Sequence, residues 1–271
     1  MGFSLVRYNK DGTVDSGFAT HGIAVRTIGT AISGAGSMAL QPNGKILLGG
    51  TSTSGTVKCF TLARFDSTGG IDTGFGTGGV VTTVFSGGAS ELTSLALQAD
   101  GKIVAGGKAP VGIALARYTA NGAIDSTFGT AGMVTVNQGL QNGTGLSIQT
   151  GGKIIMLAEA SPNPYNFAIL RFNSHGVLGS SFSMDGIDTT DILGKSRDKP
   201  ASSLIQSDGK SSYADSPARS PPAHYWDTAW CVTLRTADWT PVSESAAKYS
   251  PISARAITRP RIWLCKKAGK S

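Results

Sequence analysis

Cysteine is scarce, with three in 271 residues at positions 59, 231 and 265 and no CxxC pair among them. That excludes a zinc ribbon or a disulfide framework as the organising device. No apolar run approaches the ~18 residues a membrane helix requires. In the first 210 residues no segment keeps apolar side chains at helical spacing for the ~10 positions a helix needs. Histidine is rarer still than the charged residues, and His21, His175 and His224 lie too far apart for a metal or triad motif. Neither GxSxG nor HExxH occurs, so acyl transfer and zinc hydrolysis have no sequence support. Met1-Gly2-Phe3-Ser4 runs straight into an apolar strand with no basic or apolar leader, so no signal peptide is expected.

Glycine is abundant instead, with 36 in the first 210 residues, and it falls in step with a repeat. Leu5-Val6-Arg7-Tyr8, Leu62-Ala63-Arg64-Phe65, Leu115-Ala116-Arg117-Tyr118 and Ile169-Leu170-Arg171-Phe172 place their arginines 57, 53 and 54 residues apart. Phe18, Phe75, Phe128 and Phe182 keep those intervals, and Gly44-Lys45, Gly101-Lys102, Gly152-Lys153 and Gly209-Lys210 follow. A period of this size signals a solenoid or a propeller.

One copy reads as four strands. Thr61–Phe65 is short and apolar, Val80–Phe85 is β-branched, and Leu95–Leu97 and Ile103–Ala105 flank Asp100-Gly101, a hairpin signal. Four strands per copy predict an all-β, propeller-type array of about four blades. Such blades become stable by stacking on their neighbours. A ring of four is one outcome; an arc whose open blade edges self-associate is the other.

The pattern LARY/F, N/D-x-x-G-x-ID, S/T-x-F-G-T-x-G, LALQ-x-DGKI-x-x-G resembles the delta-60 repeat, a bacterial family taken to form β-propellers. The resemblance covers residues 3–210, with copies starting near Leu5, Leu62, Leu115 and Ile169. It implies the fold and an extracytoplasmic or surface setting, and it implies no reaction. The fourth copy departs from it, with Gly179 where Asp15, Asp72 and Asp125 stand and Ser203 where Met38, Leu95 and Leu146 stand.

Composition breaks after Lys210. Residues 211–271 contain all four tryptophans (226, 230, 239, 263), six of eleven prolines and one glycine, and carry 9 Lys/Arg against 4 Asp/Glu. The first 210 residues carry 15 against 13. After Gly209-Lys210 the sequence Ser211-Ser212-Tyr213 replaces the apolar runs of the other copies, so the hairpin's second strand is expected to be missing. Because boundaries seldom fall within a hairpin, 211–271 reads as an out-of-frame product, or else as a divergent, irregular tail. Its Arg255, Arg259, Arg261, Lys266, Lys267 and Lys270 around Trp263 give only non-specific attraction, and no nucleic-acid partner is expected.

Candidate sites are weak. Asn9, Asp11 and Asp15 alternate like a calcium loop, but the equivalent loops lose their carboxylates, and Asx turns account for the same residues. Calcium is the one cofactor with any candidate ligands. Gly74–Gly79 fits GxGxxG but precedes a strand, so no helix N-terminus waits for a phosphate. The repeated arginines read as partners of Asp15, Asp72 and Asp125. Two segments differ in length between copies, 52–58 and 162–166, and Glu91 and Glu159 are acids without counterparts in other copies. These features predict a non-catalytic module presenting rim loops to a protein or carbohydrate. The alternatives are a glycan-acting hydrolase or lyase using such unpaired acids, and a gene product without function.

Overall fold

The computed structural model describes residues 2–28, 34–161, 166–191, 198–215 and 231–234. All regular structure there is β, and no helix forms among the described residues. Chain contacts divide the protein into Met1–Asp238 and Trp239–Ser271, and the second unit lies wholly outside the described residues. So do His224, Trp226, Trp230 and the basic residues around Trp263.

Three sheets are complete antiparallel four-stranded blades. The first holds β3 (Gly34–Leu40), β4 (Ile46–Ser54), β5 (Val57–Phe65) and β6 (Val80–Thr83). The second holds β7 (Glu91–Leu97), β8 (Ile103–Lys108), β9 (Ile113–Tyr118) and β10 (Met133–Val136). The third holds β11 (Leu140–Ile148), β12 (Ile154–Ala160), β13 (Asn166–Phe172) and β14 (Ile187–Thr190). Before them comes a two-stranded sheet of β1 (Gly2–Val6) and β2 (Ile23–Thr27). After them come β15 (Pro200–Ile205), β16 (Ser211–Asp215) and β17 (Cys231–Leu234).

The sequence copy and the blade are therefore out of phase. Within one copy, the strands carrying LARF and VVTT close one blade as β5 and β6, while the following hairpin opens the next as β7 and β8. Each copy thus bridges two sheets covalently. The cores lie at the seams accordingly. One cluster joins Leu47, Phe60 and Leu62 of the first blade to Leu92, Leu95 and Ile103 of the second, and another joins Val104 and Leu115 to Leu146 and Met156.

The first strands β3, β7, β11 and β15 pack in succession, and each carries a β-bulge near its start. The bulge brings backbone against the second strand, where only glycine fits: a Cβ on Gly50 would lie 1.9 Å from the Gly34 carbonyl, and one on Gly107 2.0 Å from that of Glu91. Between blades, the backbone N–H groups of Leu95 and Leu146 donate to the hydroxyls of Ser37 and Ser94, at 3.0 and 3.1 Å.

Two expectations are corrected. A strand does follow Lys210: Ser211–Asp215 pairs with β15 and then with β17. One buried aromatic is enough to seat it, because Tyr213, 2% exposed, packs with Ile155, Leu157, Phe167 and Ile169. Residues 52–58 are also not a loop. The ladder continues to Ser54 and Val57, since the buried Ser52 hydroxyl bonds that of Thr61 at 2.6 Å and steadies both strands. The other variable segment, 162–166, falls outside the described residues except for Asn166 in β13.

Candidate functional site

The repeated arginine sits at the end of each blade's third strand, eleven residues before the repeated phenylalanine. Arg64 donates from Nε to Asp72 at 2.7 Å, lies 4.6 Å over the Phe75 ring, and donates from Nη1 to the Ala120 carbonyl of the next copy at 2.5 Å. Arg117 repeats the set with Asp125 at 2.8 Å, Phe128 at 4.7 Å and the Ser174 carbonyl. Arg7 does the same with Asp15 at 2.7 Å, Phe18 at 4.3 Å and the Ser67 carbonyl at 2.6 Å. The expected Arg–Asp pairing is present, but the side chain does more, because its outer nitrogen clips one copy to the next.

Glycine closes the far side of the ring. Gly69, Gly122 and Gly176 hold φ of +90°, +86° and +83°, and a Cβ there would come within 2.9 Å of Phe18, Phe75 and Phe128 respectively. The aromatic is thus held between its own arginine and the neighbour's turn. In the fourth copy, with Gly179 in place of aspartate, Arg171 still lies 4.7 Å over Phe182 and donates from Nη2 to the Ser181 carbonyl and hydroxyl at 2.8 and 3.0 Å, where Arg117 donates to the Thr127 hydroxyl at 3.1 Å. Burial pushes its pKa down from the usual guanidinium value.

Lysines of the Gly-Lys hairpins complete the cluster. Lys45 reaches Asp72 at 2.8 Å and Lys102 reaches Asp125 at 3.2 Å. The Thr127 hydroxyl, then Lys102, the Thr127 N–H and Arg117, hold the Asp125 carboxyl far below the usual carboxylate range. Lys45, then the Gly74 N–H and Arg64, lower that of Asp72. The sign follows from the depressed native pKa: this stabilisation is present above the unfolded value of ~3.9 and fades as pH falls toward the native value. Urea midpoints should therefore drop from pH 5 to pH 2, and Asp125→Asn should be weaker at pH 7 yet show a shallower acid decline.

The calcium candidates are divided. Asp11 accepts from the Thr13 N–H and hydroxyl at 2.9 and 2.6 Å, and Asn9 donates to the same hydroxyl at 3.1 Å. Asp15 turns away to Arg7 and caps the Gly17 N–H at 3.1 Å. Among the described residues no three His, Cys, Asp or Glu side chains gather as metal ligands. His21 and His175 are exposed turn residues, and Gly74–Gly79 is the turn entering β6.

Because the hairpin turns and the arginine loops share one end of each blade, the loops between second and third strands, and between blades, share the other. That rim differs from copy to copy. A two-residue turn at Gly55-Thr56 follows β4, whereas Ala109–Gly112 follows β8. Pro110 lies 3.7 Å from the position a Cβ would take on Gly88, so loops 84–90 and 109–112 meet. Val84 and Val111 stand 49% and 61% exposed there. Glu91 pairs with Lys58 at 2.6 Å and faces Lys108 across the ladder. Lys58, and more weakly Lys108, lower its pKa. Glu159 is fully buried and accepts from the Asn142 amide at 3.0 Å.

The clip to the neighbouring carbonyl was not foreseen from sequence. Its one signal was the constant offset between arginine and phenylalanine. The rim patch leaves no sequence signal, since it joins residues 58, 84, 91, 108 and 111 through blade geometry.

Three segments, residues 2–18, 41–75 and 98–128, match the family described as "Domain of unknown function (DUF5122) beta-propeller". A crystal structure of a protein of unknown function from Dyadobacter fermentans DSM 18053 matches with a TM-score of 0.44 at 10% identity, covering 78% of this chain and 67% of that one. No curated protein matches. With its all-β sheets of four antiparallel strands and these matched segments, the chain is an all-β protein of β-propeller type.

Proposed function

We propose that this protein is a non-catalytic binding or scaffolding module of the delta-60 type, presenting the variable rim of its blades to a protein or carbohydrate. The observation that carries this reading is the division between the two ends. At one end the recurring Arg, Asp, Lys and Phe side chains are engaged in joining copies. At the other, Val84 and Val111 stand exposed beside the Lys58–Glu91 pair, with no counterpart in other copies. Varied loops on a constant scaffold are where recognition resides.

Glu91 bears on the rival hydrolase reading. A general acid needs its pKa raised toward the working pH, and Lys58 moves that of Glu91 the other way. Glu159 is enclosed, away from any substrate on the rim. Both features favour binding over acid catalysis.

The test uses the full chain immobilised against panels of bacterial surface glycans and surface proteins. A ligand retained by the wild type and lost by Val84→Lys/Val111→Lys, with Tm unchanged, supports the reading. Release of reducing sugar, or binding indifferent to the double substitution, defeats it.

A further inference from the structure

The rim of the first two complete blades is anchored from beneath. In segment 84–90, Phe85 is buried and meets Phe60 edge-on with ring centroids 4.8 Å apart, while the Ser90 N–H donates to the Lys58 carbonyl at 3.0 Å. In 109–112, Ala109 is buried and its N–H donates to the Gly112 carbonyl at 3.1 Å. Gly112, at φ +85°, approaches β10 so closely that a Cβ would lie 2.0 Å from the Val136 carbonyl. Val84 and Val111 therefore stand exposed on anchored loops, with Pro110 half-buried beside Gly88. A ligand meets them without first having to order them.

Charge at this patch is unbalanced. Segments 54–58, 84–91 and 108–112 carry Lys58, Glu91 and Lys108 and no other charged side chain. Lys58 holds Glu91 at 2.6 Å. Lys108 is exposed opposite Glu91 in the ladder and makes no ion pair among the described residues. One positive charge is thus left in excess, on the residue that leads into the Val111 turn. The combination occurs once, since Thr51 and Glu159 stand at the Lys108 place in the other two complete blades and Glu159 is enclosed.

The apolar part of the patch is aliphatic. Phe60 and Phe85 lie beneath it, and Tyr8, the one exposed aromatic side chain among the described residues, belongs to the arginine end. A sugar stacks its ring face on an aromatic plane, and the patch presents none. Branched aliphatic side chains gain instead by covering an apolar side chain of a partner, in proportion to the area taken from water.

We propose that this patch binds an acidic, apolar segment of a partner protein. An aliphatic or aromatic side chain of the segment covers Val84 and Val111, and a neighbouring carboxylate pairs with Lys108. This ligand class presupposes the rim as the recognition surface and narrows its ligand from protein or carbohydrate to polypeptide of one charge sign. The excess charge steers such a segment to the rim and turns basic segments away, while the valines supply contact that salt does not screen.

The test titrates the full chain into fluorescein-labelled short peptides that alternate Asp or Glu with Leu, Val or Phe. A second set carries Lys or Arg in place of the acids, and labelled polygalacturonate stands for acidic glycan. The acidic peptides should bind, more weakly as salt is raised, and the basic set should not. Lys108→Gln should weaken binding about threefold to tenfold and flatten the salt dependence. Val84→Ser/Val111→Ser, which adds no charge, should weaken it about tenfold, with Tm unchanged in both variants. Equal binding of the basic set, or acidic-peptide binding indifferent to both variants, overturns the proposal. So does binding of polygalacturonate alone, lost with the serine pair; the rim then still recognises a ligand and only the peptide class falls. A chain that binds none of these probes overturns it too, and the rim reading falls with it only if no ligand from the surface panels is sensitive to the valines.

Discussion

Arg117→Ala should destabilise the protein by about 3–5 kcal/mol, the range for removing one partner of a buried ion pair. The guanidinium is 4% exposed, and its loss takes one of the donors from the Asp125 carboxylate, which keeps Lys102 and Thr127, and leaves the Ser174 carbonyl without its donor and the face of Phe128 without its cover. Arg7→Ala removes the same chemistry from a side chain 40% exposed, where water replaces the lost donors, and should cost about 1 kcal/mol or less. Urea unfolding of the two variants checks the difference. Equal losses would mean that the cluster stabilises by its chemistry alone and not by its burial at a seam. Arg117→Lys should recover little, because an ammonium cannot reach Asp125 and Ser174 while lying flat on Phe128.

Exchange of volume across a seam should rescue two damaging substitutions. Leu95 packs on Gly49 and Leu146 on Gly106, with the leucine Cδ1 2.7 and 2.8 Å from where a Cβ would stand. At the third junction the equivalent positions are Ser203 and Leu157, so the large side chain has changed sides. Gly106→Leu alone overpacks the seam and should cost about 3 kcal/mol or more. Leu146→Ser alone removes a side chain 9% exposed and should cost about 2–5 kcal/mol. Combined, they reproduce the third junction, and a favourable coupling of about 1–3 kcal/mol is expected from a double-mutant cycle. Recovery stays incomplete because Leu115 also lies 3.0 Å from the Gly106 Cβ position. Additive losses would show that the seams do not trade volume.

This exchange explains the departure of the fourth copy that the sequence displays without a reason. Ser203 is not a defect in a leucine position. Its hydroxyl bonds that of Ser147 at 2.5 Å, at a junction where Gly145 stands in place of Ser37 and Ser94 and brings no hydroxyl to the blade-to-blade bond. At the Gly179 departure Arg171 keeps its place over Phe182 and its Nη2 bond to Ser181, the counterpart of the Arg117–Thr127 bond, and adds the Ser181 carbonyl. The first compensation is not legible along the chain, because Ser147 and Ser203 lie on different blades, 56 residues apart.

The period of the repeat, the β-rich character, the turn glycines and the pairing of arginine with its own aspartate were all fixed locally, by residues within one copy. Strand propensity and turn chemistry act over a few residues and leave their mark in the sequence. What tertiary structure decided was the phase of the blade against the copy, the clip from arginine to the next turn, the strand at Ser211–Asp215 and the rim that joins Lys58 to Glu91. Each depends on which sheets meet. Burial at a seam is a property of two copies together, so one copy's residues specify a strand without specifying the neighbour that completes it.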